Sequence, residues 1–443
     1  MHKPTIKKPI KPKVKPKTKP ETETIVSSIL GKQSFVELLF DPKAGKTSLG
    51  VWRDGQFKTT SSVKLSESKH LMPVPPSNNL IKHNVLLFTS NAQDYGLEVE
   101  LIASLQSFIH RYCDLGERFE IVATYYVLLT WVYDRFRELP YLRMQGDFGT
   151  GKTRFLQVVG SLCYKPLFAS GASTISPIFH SLNTFRGTLV MDEADFRFSD
   201  EKADIIKILN NGNMKGFPLL RSEVSRAGTY NPKAFNVFGP KVLATRGAYK
   251  DPALESRIIT KRARTGNIRA DIPLTLPPDF EHEARILRNK LLMFRFKNWD
   301  KIQRSENQTA DQTSLRISQI FRPLLAVTRD EKARAVICDY ARQSDLILKS
   351  SLAYSPEENL LKIIHGLLDK KISLISIKDI TRIYQQRHGA DHTAPVSNKW
   401  VGGTIRNRLH LSTVKRNGIY VLPETELPRL KALFQRYGIG TAK

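Results

Sequence analysis

Gly146-Asp147-Phe148-Gly149-Thr150-Gly151-Lys152-Thr153 is the stretch on which the fold of this chain turns. It matches the phosphate-binding loop pattern G-x-x-x-x-G-K-[ST]. Gly146, Gly149 and Gly151 are expected at backbone angles closed to other residues, so that the chain wraps a phosphate closely. The loop N–H groups and the N-terminus of the next helix would then face the anion. Lys152 is expected on the β/γ-phosphates of a nucleotide, and Thr153 on Mg²⁺. The flanks agree with this reading. Tyr141-Leu142-Arg143-Met144 can be the incoming strand. Thr153 to Cys163 reads as a helix with Phe155, Leu156, Val159 and Leu162 on one face. The alternative is a Gly-rich turn before an ordinary helix, but a chance match flanked by strand and helix is the rarer event.

Forty residues on, Leu189-Val190-Met191 ends in Asp192-Glu193. Thr188 to Met191 reads as a short buried strand tipped with acids, which is what a magnesium nucleotide needs opposite the loop. Asp192 is expected to hold Mg²⁺, and Glu193 to orient or deprotonate the attacking water, with Asp195 a helper. The bland alternative is a strand ending in solvated acids. A second Gly-Lys-Thr, at Gly45-Lys46-Thr47, lacks the upstream glycine, because Phe40 stands there. Val51 and Trp52 follow where a helix should begin, so it reads as a turn between strands.

The chain has 443 residues, enough for two or three domains, and a formal charge of +27. Such an excess points to a polyanion partner, most often nucleic acid. Part of it is local, since residues 1–20 hold eight lysines, five prolines and no acid. Residues 1–24 are expected to be a disordered basic tail, either touching phosphates without reading sequence or only solubilising the chain. Three separated cysteines without a C-x-x-C pair imply no disulfide framework and suit a reducing cytosol. The most apolar run, Ile121 to Tyr133, is too short to span a bilayer, and no membrane partner is expected.

Residues 25–84 read as a small β-module and linker. The strands are Phe35 to Phe40, Ser48 to Trp52 and Gln56 to Lys64, with Asp54-Gly55 as a hairpin turn. Residues 66–84 look like linker. Residues 85–140 form a helical lead-in, with helices from Glu98 to Tyr112 and Glu117 to Glu138. Residues 141–265 alternate helix and strand. The elements are a strand at Leu167 to Ala169, a helix capped by Ser176, the acidic strand, a helix from Ser199 to Asn211, a two-stranded insert within Phe217 to Asn236, a buried strand from Gly239 to Thr245, a short helix to Arg257, and a strand at Ile258 to Thr260. Alternation around a phosphate loop predicts an α/β three-layer sandwich over a mainly parallel sheet.

The stretch from Tyr141 to about Thr260 resembles the AAA+ ATPase modules of replicative helicases, especially those on bacterial mobile elements and phages, and more weakly the MCM helicases. The shared order is phosphate loop, acidic strand, hairpin insert, sensor strand, then an arginine. Asn210-Asn211-Gly212 and Phe238-Gly239-Pro240 fall at matching places. The resemblance implies ATP and Mg²⁺ as ligands. It puts Thr245 against the γ-phosphate or the attacking water. Arg257 becomes a finger for the neighbouring subunit's site, and hence the active form a homo-oligomer such as a hexameric ring. Arg316 or Arg322 would be a second sensor. Lys215, Arg221 and Arg226 would follow DNA in the channel, or the hairpin would only pack between subunits. Residues 266–353 would be a helical lid.

Residues 354–443 read as helix, strand, helix, helix and hairpin, the order of a winged helix. Ser355-Pro356-Glu357-Glu358 is a capping box, and Ser376 caps the second helix. Asn417-Gly418 is a type I′ hairpin signal. Lys399, Arg406 and Arg408 on the third helix, with Lys415 and Arg416 on the wing, suit phosphate contact. Winged helices also dock proteins, so that alternative stays open. The first functional reading is an ATP-dependent DNA helicase or translocase in replication of a mobile or phage-like element, cytoplasmic and nucleoid-associated in a bacterium. The alternatives are a loader or remodeller of a DNA-bound protein, and a DNA-binding regulator switched by ATP.

Overall fold

Tyr141–Gln145, the strand that delivers the phosphate loop, runs inside a five-stranded parallel sheet. This computed structural model describes residues 21–31, 34–66, 69–192, 200–222, 231–249, 251–263, 268–302, 313–353, 356–370, 374–389 and 395–440, with side chains 200–203 and 349–353 left aside. Across the sheet the strands lie in the order Ile258–Arg262, Tyr141–Gln145, Lys241–Thr245, Thr188–Met191 and Pro166–Ala169. The strand ending in Thr245 therefore lies between the loop strand and the acidic strand. The three inner strands are buried on both faces, in keeping with their mainly apolar runs. Arg143 breaks the loop strand's run. Its guanidinium, 1% exposed, forks onto Glu255 at 2.6 and 2.7 Å.

Within residues 21–84 the structure departs from the sequence expectation. Glu21–Ile25, whose first four residues were expected in the disordered tail, is a strand paired in parallel with Lys69–Pro73, which was expected to be linker. Gln56–Thr60 ends early, and Val63–Ser66 turns away to pair with Lys69–Pro73. These pairings are non-local, and period-2 alternation carries no record of a partner. Ser34–Asp41 and Lys46–Arg53 are adjacent antiparallel strands, so residues 42–45 form the turn between them, with Gly45 at φ +60.

This β-module is built onto the nucleotide-binding core. Residues 85–89 bond to both, with Phe168 N–H donating to Val85 O at 2.9 Å and Phe40 N–H to Thr89 O at 2.9 Å. The sheet edge at Pro166–Ala169 is thus covered rather than open. Val36, Leu38, Leu49 and Leu71 share one apolar core with Leu189, Met191 and Leu243. Phe280–Asn298, the first helix of the expected lid, is clamped to the same module, with Phe296 stacked on Trp52 at 5.4 Å. Beneath it Glu37, 2% exposed, takes Lys165 at 2.8 Å and Arg295 at 3.1 Å, and Arg295 also binds Asp134 at 2.7 Å. Burial opposes the Arg295 charge, but the Asp134 and Glu37 carboxylates outweigh it and hold the guanidinium ionised.

Other elements shift by a few residues. The helix expected to reach Glu138 ends at Trp131, where Val132 leaves helical geometry. The helix assigned a Ser176 cap starts at Ile175 behind Thr174.

The chain divides between Tyr340 and Ala341, inside the helix Glu331–Ala353, rather than at residue 353. The second unit has its own core around Ile364, Ile380, Val401, Ile405 and Phe434. It contains helices Pro356–Asp369, Ile377–His388 and Asn398–Asn407 and a three-stranded sheet of Ile375–Ser376, Ile419–Leu422 and Val414–Arg416. Ser376 and Ser397 cap their helices through their hydroxyls. Ser355 lies outside the described residues. Asn417 and Gly418 take φ 47 and 80, as a type I′ turn demands. A closing helix, Leu427–Tyr437, had not been expected; Leu430 and Phe434 are buried on its apolar stripe.

Candidate nucleotide site

The loop strand ends at Gln145, and the chain turns through residues 146–151 into the helix Lys152–Leu162. Gly149 and Gly151 hold φ of 72 and 79, so both need the freedom of glycine. Gly146 is different. Its φ is ordinary, but a Cβ there would lie 2.7 Å from the Ala263 Cβ and 2.8 Å from Thr150 Oγ1. Space, not backbone angle, is what keeps it small. Thr150 Oγ1 donates to Asp147 O at 2.7 Å and closes the loop. Lys152 Nζ folds back over it, donating to Gly146 O at 2.8 Å and Asp147 O at 2.5 Å. Phe148 stands at the rim, 75% exposed.

Thr153 and Asp192, 39 residues apart, meet here. Thr153 Oγ1 donates to Asp192 Oδ2 at 2.8 Å. Asp192 is fixed by its own N–H, which donates to Ala169 O at 3.0 Å on the neighbouring strand. Two hard oxygens side by side fit Mg²⁺, which takes one or two protein ligands and fills the rest of its octahedron with phosphate and water. Among the described residues no group of three or more His, Cys, Asp or Glu forms a metal cage, and a phosphate-borne Mg²⁺ needs none. Glu193 and Asp195 lie outside the described residues.

Thr245 is fully buried, and its carbonyl accepts from Gly146 N–H at 3.0 Å. Among the described residues its hydroxyl has no hydrogen-bond partner, so one donor at the base of the loop is uncommitted there. The next residue, Arg246, was missed by sequence reasoning. Its guanidinium lies 3.8 Å from the centre of the Phe148 ring. Nothing in the loop pattern points to it, since the contact depends on which strand neighbours the loop strand.

Arg257 is not part of this assembly. Ile258 pairs with Tyr141, the first residue of the loop strand, so Arg257 lies at the opposite end of the sheet from the loop. The separation along the strand is about 13 Å or more. Arg257 donates to Asn210 Oδ1 at 2.7 Å and Asn210 O at 3.1 Å, and Asn210 in turn donates to Asp251 at 2.9 Å. Arg316 lies beside it, bonded to Ser256 Oγ at 3.1 Å; burial, then the Arg257 charge, lowers its pKa. Arg316 is thus remote from the loop of its own chain.

The insert is a short hairpin, Leu219–Arg221 against Lys233–Phe235. Arg221 pairs with Asp204 at 2.8 Å, and Lys215 donates to Asp134 O, so both described basic residues are held within the chain. Arg226 lies outside the described residues. In the second unit, Lys399, Lys415 and Arg416 are exposed. Arg406 bonds Thr413 at 3.1 Å and faces the Tyr420 ring, tying helix to wing, while Arg408 pairs with Glu357 at 2.8 Å.

No protein-family model matches the chain, and no curated protein matches it in sequence. Solved structures that resemble it include the NrS-1 C-terminal region (305–718), at 11% identity and TM-score 0.39, covering 87% of this chain and 95% of that one. The SCCmec type IV Cch active helicase matches at 11% identity and TM-score 0.42, covering 93% and 81%. Cdc6p from Pyrobaculum aerophilum matches at 15% identity and TM-score 0.23, covering 75% and 98%. One of these neighbours is named as a helicase and another as a Cdc6 protein. At such scores the functional reading rests on the site itself. No described helix is long and apolar enough to cross a membrane.

Proposed function

We propose that the chain is a Mg²⁺-dependent ATPase of the AAA+ helicase class that acts on DNA in replication of a mobile or phage-like element. The observation that carries this reading is the meeting of Thr153 and Asp192 at 2.8 Å beneath the loop that bears Lys152. Bound between them, Mg²⁺ would neutralise charge on the β- and γ-phosphate oxygens. Lys152 exchanges its two loop carbonyls for phosphate oxygens. Loop N–H groups and the helix N-terminus orient the anion. Thr245 donates its hydroxyl toward the reacting end, and Glu193 orients the water.

Arg257 cannot reach the loop of its own chain, which supports its use in trans and a homo-oligomer, as in a ring. Exposed Lys399, Lys415 and Arg416, together with Arg406, support DNA contact by a winged helix in residues 354–443. The net charge of +27 and the lysine-rich residues 1–20 favour the same partner. One observation favours a second reading. Lys215 and Arg221 are engaged within the chain, which suits a hairpin that packs rather than grips DNA, as in a loader or remodeller.

Two assays test these readings. Strand displacement on a forked duplex is expected for the helicase and absent for the remodeller. Arg257→Ala should lower hydrolysis by ~10³, and mixing with Lys152→Ala subunits should recover part of it. Loss without recovery on mixing refutes the trans finger.

A further inference from the structure

We infer that Arg143 is a positioning residue for Arg257: its fork on Glu255 sets the one-turn helix that presents Arg257 to the neighbouring subunit. The inference rests on the reading of Arg257 as a finger used in trans and extends it to a buried pair outside the motifs. Arg257 follows the helix Pro252–Glu255, which has four residues. A single turn does not hold itself in water, so its direction must come from tertiary anchors. Asp251 caps it by accepting from Ala253 N–H at 2.9 Å, and Leu254 is fully buried. Glu255 is gripped by Arg143 Nη1 and Nη2 at 2.6 and 2.7 Å. Its carboxylate also accepts from Tyr249 N–H, which ties the approach to the helix to the same group.

Arg143 has no freedom to follow a misplaced helix. It is 1% exposed and is fixed from a second side, with Nε and Nη2 donating to Thr260 Oγ1 at 3.1 and 2.9 Å and the Tyr249 ring 5.4 Å from its guanidinium. Glu255 precedes Arg257 and Thr260 follows it, so one guanidinium binds the chain on both sides of Arg257. A buried ion pair is a weak source of stability, because desolvation consumes much of its attraction and well-packed apolar residues serve as well. What this pair supplies is direction, since a bidentate fork accepts one orientation of the carboxylate. Arg143 lies on Tyr141–Gln145, so each subunit's finger is registered to the strand of its own phosphate loop.

The experiment replaces the pair by apolar residues, Arg143→Met with Glu255→Leu, so that no uncompensated charge is left inside. Hydrolysis and equilibrium binding of a non-hydrolysable ATP analogue are measured on the full chain with Mg²⁺. The expected result is a kcat lower by ~10- to 100-fold with analogue affinity within about twofold of wild type. Mixing with Lys152→Ala subunits, whose fingers are intact, should recover part of the hydrolysis. Adding Arg257→Ala to the pair variant should lower hydrolysis no further than Arg257→Ala alone. Glu255→Gln keeps the side chain's size and one acceptor oxygen; it should give the same pattern at smaller amplitude, and it carries the test should the double variant not fold. A merely structural pair would weaken analogue binding together with kcat and would not be rescued by mixing. That result overturns the assignment, as does an unchanged kcat. If Arg257→Ala recovers on mixing while the pair variant does not, the finger stands and the positioning role falls. If Arg257→Ala hydrolyses ATP as the wild type does, both fall.

Discussion

Lys241→Met should abolish a pH dependence of stability that the wild type carries between about pH 7 and 10.5. Lys241 opens the strand that ends at Thr245 and is fully buried. Its Nζ lies 3.3, 3.1 and 3.0 Å from the carbonyls of Gly212, Val237 and Gly239, and no carboxylate pairs with it among the described residues. Burial without a counter-charge pushes its pKa from 10.5 down to about 7. Between those values the unfolded chain binds a proton that the folded chain has released. Stability therefore rises with pH across the window, by up to about 1.4 kcal/mol per pH unit and roughly 3–5 kcal/mol in all. Below about pH 7 both states are protonated and the penalty is constant. The assay is urea unfolding followed by tryptophan emission, at about pH 7.5 and pH 9.5, comparing the wild type with Lys241→Met. The wild type should gain on the variant by roughly 2 kcal/mol between the two pH values. Equal pH slopes would refute the reasoning and mean that the three carbonyls keep the ammonium charged throughout.

Three further outcomes are expected. Glu37→Gln leaves Lys165 and Arg295 buried without their shared carboxylate and should cost about 3–5 kcal/mol, read as a lower urea midpoint; an unchanged midpoint would mean that Asp134 alone suffices. Gly187→Ala would set a Cβ 2.0 Å from the Lys165 carbonyl oxygen, so the strand behind Thr188 must shift, at about 1–3 kcal/mol or more; a melting temperature within a degree of wild type would contradict that. Asp192→Asn should reduce ATP hydrolysis by ~100-fold or more and raise the Mg²⁺ concentration for half-maximal rate, while an unchanged metal requirement would remove Asp192 from the metal site.

The loop, the helix start after it and the acid-tipped strand were legible because their signals are local. Glycines at fixed spacing, Lys-Thr at a helix start and an apolar strand tipped with acid each carry their meaning within a few residues. The hairpin at Asn417-Gly418 and the Ser376 cap were legible for the same reason. What escaped was the product of distant pairing. Glu21–Ile25 is a strand because Lys69–Pro73 is there to bond it. The apparent lid helix is anchored because Phe296 finds Trp52. Arg143 reads as a break in an apolar run until Glu255 folds against it. The contact of Arg246 with Phe148 depends on strand order, which no stretch of sequence states. Arg257 was singled out only through the resemblance, and its Asn210–Asp251 support became visible with the fold.

The most direct test is steady-state ATP hydrolysis by the full chain in Mg²⁺, with and without single-stranded and duplex DNA, with Lys152→Ala as the blank. The account predicts hydrolysis that DNA stimulates and that disappears in Lys152→Ala. Hydrolysis persisting in Lys152→Ala would contradict the site. Hydrolysis that depends on Lys152 but ignores DNA would contradict the DNA-motor reading and leave the remodeller.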